Sequence, residues 1–61
     1  MVLVDNKPLD TAALLREYPE GSVQRRALEI MRDSSETLRY GSLEELKFEL
    51  DLRAAIVKAA E

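Results

Sequence analysis

The chain has 61 residues, 12 acidic and 9 basic, a formal charge of −3, and neither cysteine nor histidine. That length allows one domain, and that composition excludes disulfides, zinc held by thiolate or imidazole, and thiol or imidazole chemistry within the chain. The mild charge, mixed in sign along the sequence, gives no electrostatic reason for strong attraction to nucleic acid or anionic lipid.

The N-terminal stretch MVLVDNKPLD carries acid and proline where a signal peptide needs a basic start and a longer apolar run. No apolar run approaches the ~18 residues of a membrane span. A cytoplasmic protein with no membrane contact, metal or cofactor is therefore expected. Met1 reads as a native start, whereas Glu61 falls inside a helical pattern with no Gly or Asn to stop it. Residues 1–61 are thus read as a single small domain, the N-terminal part of a longer protein.

In chain order, Val2-Leu3-Val4 is a short β-branched run, and Asp5-Asn6-Lys7-Pro8 are turn formers. A first helix is predicted over about 10–18, capped by Asp10 or Thr11, with Leu14, Leu15 and Tyr18 inward and Pro19 as its stop. Ser22 caps a second helix, 22–33, whose Val23, Ala27, Leu28, Ile30 and Met31 form the apolar side. Asp33-Ser34-Ser35 ends it, because such side chains compete for backbone partners. Thr37 to Tyr40 alternates in the manner of a strand, and 37–40 is paired with 2–4 as a two-stranded ribbon.

The third helix, 43–60, dominates the chain. Ser42-Leu43-Glu44-Glu45 fits a capping box in which the Ser42 hydroxyl accepts from the Glu45 N–H and the Glu45 carboxylate reaches the Ser42 N–H. No Gly or Pro interrupts the remaining residues, and Glu49 with Arg53 and Lys47 with Asp51 are helix-supporting pairs. At roughly 100° per residue, Leu43, Leu46, Leu50, Ala54 and Val57 share one side, and Phe48, Leu52, Ala55, Ile56 and Ala59 the other. The expected fold is therefore mainly α: three helices with a two-stranded β pair. Its core is closed by one side of the third helix on Leu14, Leu15, Val23, Ala27, Ile30 and Met31.

A helix apolar on two sides needs two partners. A domain this small, with no disulfide or metal, gains most simply from association. The sequence therefore predicts a non-catalytic protein–protein interaction or oligomerisation module, most simply a homodimer, with interface residues Phe48, Leu52, Ala55, Ile56 and Ala59. The alternative is a helix-turn-helix-type DNA-binding protein reading bases with Gln24, Arg25 and Arg26 at the start of the second helix. Glu17, Glu20 and Glu29 nearby weigh against that, since such domains present a basic patch. No enzyme is expected. Gly21 and Gly41 stand alone rather than in a phosphate loop, the serines suit caps and stops, and no general base near neutral pH is present.

Overall fold

In the computed structural model, which describes residues 1–61, the elements run β1 (Val2–Val4), β2 (Lys7–Pro8), α1 (Thr11–Leu15), α2 (Val23–Asp33), β3 (Leu38–Tyr40) and α3 (Leu43–Ala60). The sheet has three strands in the order β2-β1-β3, with β1 antiparallel to β2 and parallel to β3. This corrects the expected mainly-α fold with a two-stranded pair: the protein combines three helices with a three-stranded mixed sheet.

The missing strand is made by the turn. Asp5 and Asn6 both take positive φ, 53° and 61°, as a two-residue hairpin of matching twist requires. They bring Val4 opposite Lys7 and Leu3 opposite Pro8. Pro8 has no N–H to offer and sits on the edge strand, where none is needed. β3 then pairs along the other edge of β1, Val2 with Leu38 through Val4 with Tyr40. Leu38 and Tyr40 are half-buried and Arg39 points to water, the alternation visible in the sequence.

α1 is shorter than predicted. Asp10 caps it by accepting from the Ala13 N–H at 3.2 Å. Regular helix stops at Leu15, and the chain tightens through Glu17 N–H to Leu14 carbonyl and Tyr18 N–H to Leu15 carbonyl bonds. Pro19 disfavours helical geometry at Tyr18, and the shorter-span bonds absorb that restriction.

Val2, Leu14, Leu15, Ala27, Leu28, Met31, Leu46 and Leu50 form the core, with Leu28, Leu46 and Leu50 fully enclosed. Ile30, expected among them, is 70% exposed, and Val23 is only half-buried. The apolar arc of α2 is wider than the contact it makes: Leu28 occupies the centre, and Ile30 and Val23 turn to one flank. α3 is likewise buried only in its first half. Past Leu50 every residue except the half-buried Ala54 is exposed, including Val57 on the core-facing side. Its last turns extend beyond the body.

The start of α3 is tightly fixed. The Ser42 hydroxyl accepts from the Glu45 N–H at 3.2 Å. The Glu45 carboxylate accepts from the Gly41 N–H at 2.9 Å, one residue earlier than the standard box predicts.

Candidate functional site

The flank that α2 and α3 leave uncovered is an open groove of about 850 Å³. Met31 and Leu38 contribute to its lining from the core and β3, Ile30 and Val23 from α2, and Leu52, Ile56 and Val57 from α3. The groove exists because α3 continues past the last residue that packs against the sheet and α2, so apolar side chains on both helices face each other across solvent. Apolar side chains of both helices are thereby collected along one open face.

Its polar groups are few. Arg26 on α2 and Arg53 on α3 line the groove, and both are exposed. Neither has an acidic partner: the ion pairs of the chain are Arg25–Glu29, Arg32–Asp33 and Lys47–Glu17. Glu49, by contrast, is engaged. Its carboxylate accepts from the Tyr40 hydroxyl, which also lies 3.9 Å from the Met31 sulfur. Burial, reinforced by this bond to Glu49, pushes the Tyr40 phenol up to about 12. The bond between the Tyr40 phenol and the Glu49 carboxylate ties β3 to α3. Tyr18 is raised as well, by burial and then by the charge of Asp51.

Of the interface residues expected from sequence, Leu52 and Ile56 line the groove, while Phe48, Ala55 and Ala59 are exposed and do not. Phe48 is 70% exposed. The residues singled out for DNA contact are dispersed. Gln24 is half-buried, and Arg25 donates to the Tyr18 carbonyl at 3.4 Å and approaches Glu29 at 3.6 Å. Arg26 alone of the three reaches the groove. Sequence reasoning missed Ile30, Val23 and Val57 as surface residues, and missed the Tyr40–Glu49 pair. The excess width of the α2 apolar arc signalled Ile30 and Val23, whereas Val57, on α3, had no such signal. Nothing local signals the Tyr40–Glu49 pair, since the partners lie on different elements. No three acidic side chains converge as they would around a metal ion.

Three serine hydroxyls are engaged with the backbone. Ser22 caps α2 by accepting from Arg25, Ser42 caps α3, and the Ser34 hydroxyl accepts from the Glu36 N–H.

A family model for protein-glutamine gamma-glutamyltransferase matches residues 1–61, the whole chain, and the chain belongs to that family. No curated protein and no solved structure matches it. The family overturns the expectation that no enzyme is involved. That expectation sought a nucleophile and a base inside the 61 residues, whereas membership is carried by the sequence as a whole. No helix is long and apolar enough to cross a membrane.

Proposed function

We propose that this chain serves protein-glutamine γ-glutamyl transfer by docking, through the α2–α3 groove, with the polypeptide that carries the acyl-transfer nucleophile. The family's name describes transfer of the γ-glutamyl group of a protein-bound glutamine. Chemically, an attacking nucleophile displaces ammonia from the side-chain carboxamide, and an acceptor then takes the acyl group. Such a nucleophile needs activation by an adjacent base or a lowered pKa. With no cysteine or histidine, and with Ser22, Ser34 and Ser42 used as backbone caps, these residues set up no such pair.

The observation that carries the proposal is the groove itself. Ile30 and Ile56 are 70% and 60% exposed on facing helices, and the unpaired guanidinium groups of Arg26 and Arg53 stand beside them. An apolar segment carrying a carboxylate satisfies both features at once. A buried Ile or Leu side chain contributes about 1.5–3 kcal/mol, so a few such residues offset the cost of association.

The test is incorporation of a labelled primary amine into protein-bound glutamine, in cells that make the protein. Ile30→Asp should abolish the incorporation that depends on this chain while leaving its fold intact, because Ile30 is outside the core. Incorporation by the purified 61-residue chain alone, or full activity with Ile30→Asp, refutes the proposal.

A further inference from the structure

The outward side of α3 carries a second pattern that the groove does not use in full. Phe48, Leu52, Ala55 and Ala59 recur at intervals of four, three and four, the spacing of a helix–helix seam. All four are exposed, on the side of α3 opposite to the enclosed Leu46 and Leu50. The seam is graded: its two large residues come first and its two small ones last. A parallel copy in register would set Phe48 on Phe48 and leave a void between alanines. An antiparallel copy sets Phe48 over Ala59 of the second copy, and Leu52 over Ala55, at every layer a large residue on a small one.

The flanking charges select the same arrangement. In that register, Asp51 lies beside Lys58 of the second copy, and by symmetry Lys58 beside Asp51. A slip of one heptad in either direction sets Asp51 against Asp51 or Lys58 against Lys58. Within the chain neither residue has an ion-pair partner, and both are exposed. Size and charge, two independent properties of the sequence, therefore agree on one register.

We propose that two copies pair through antiparallel α3 helices about a two-fold axis, with Phe48 over Ala59, Leu52 over Ala55 and Asp51 beside Lys58. The contact is self-complementary, as a two-fold interface must be. Because the core lies on the far side of α3, the two bodies stay outside the helix pair. The inference rests on the proposed role of α3 as a docking element. Its seam nevertheless leaves Ile30 and Val57 of the groove untouched, so each protomer of the dimer keeps an open groove wall.

Sedimentation equilibrium on the whole chain tests it. The wild type should be a dimer. Asp51→Lys or Lys58→Asp alone should weaken the dimer about tenfold, through two lost pairs and two new repulsions. The double variant Asp51→Lys/Lys58→Asp should recover wild-type affinity. A second arm uses the absence of native cysteine. With oxidised glutathione as the oxidant, Phe48→Cys mixed with Ala59→Cys should give a disulfide-linked heterodimer faster than either variant links to itself. A monomeric wild type, a double variant no better than the singles, or no preference in the cross-linking overturns the proposal. A monomeric wild type with its Ile30-dependent amine incorporation retained would refute this pairing alone. A stable dimer with full incorporation by Ile30→Asp would refute only the docking function.

Discussion

Leu50 and Val57 lie on the same side of α3, two turns apart, and the structure assigns them opposite roles. Leu50 is fully enclosed in the core, whereas Val57 is 41% exposed. Leu50→Ala removes buried methyl groups and leaves a void that neighbours fill only in part, which costs about 2–5 kcal/mol. Against the roughly 3–5 kcal/mol that a single core supplies at this size, that loss removes most or all of the stability. Val57→Ala trims a side chain already in water and should stay within about 0.5 kcal/mol. At about 4–8 °C per kcal/mol for a domain of this length, Leu50→Ala should melt at least about 8 °C lower or show no cooperative transition. Val57→Ala should melt within about 4 °C of wild type. Thermal unfolding followed by circular dichroism, at concentrations low enough to avoid self-association, measures both. Comparable losses in the two variants would mean that the core continues along α3 to Val57, and the groove would then be closed.

Ser42→Ala removes the cap of α3 and should cost about 1 kcal/mol in urea denaturation. Gly21 has φ +81°, and no atom lies within 4 Å of the point a Cβ would occupy. Gly21→Ala should therefore cost roughly 1–2 kcal/mol by backbone strain alone, without a packing change. For Tyr40, the folded state raises the phenol from 10.0 to about 12. The resulting stabilisation is complete below about pH 10, and is lost as pH rises toward 12 and the phenolate forms beside Glu49. Absorbance titration of the phenolate should show this late midpoint. Glu49→Gln should move it down without restoring 10.0, because burial is the larger cause. An unchanged midpoint in Glu49→Gln would exclude the bond to Glu49 as a contributor.

Much of α3 was legible in the sequence because its determinants are local. Ser42 and Glu45 sit three apart, no breaker comes after them, and the two apolar sides are set by spacing alone. The mixed sheet was not legible. Lys7-Pro8 is too short to show any alternation, and Asp5-Asn6 reads as a turn without revealing that both residues adopt positive φ. Nor does anything local to Leu38–Tyr40 encode its direction relative to β1. Ile30 was misplaced for a different reason. A helical wheel shows which residues share a side, but not which part of a broad apolar side meets the core. Of the candidate site, Leu52 and Ile56 were legible as outward-facing residues. The groove needed Ile30 and Val57 as well, and these depend on where α2 and α3 cross. The enzymatic family left no trace that residue chemistry detects, since no activated nucleophile lies in these 61 residues.

β1 is the first strand of the chain and also the centre of the sheet. Its hairpin with β2 closes over a two-residue turn, and such an event takes microseconds. Its other edge stays unpaired until Leu38–Tyr40 arrives, after both α1 and α2 have been laid down. The Met1 amine makes the same long reach, donating to the Ser34 and Glu36 carbonyls across 33 and 35 positions. Closing so large a loop must precede the reward of the contacts it permits. Loop-closure entropy therefore predicts that the slow step of folding is the arrival of β3 rather than the formation of any helix. Until it arrives, the nascent chain exposes an open strand edge, the feature through which unfinished chains find one another.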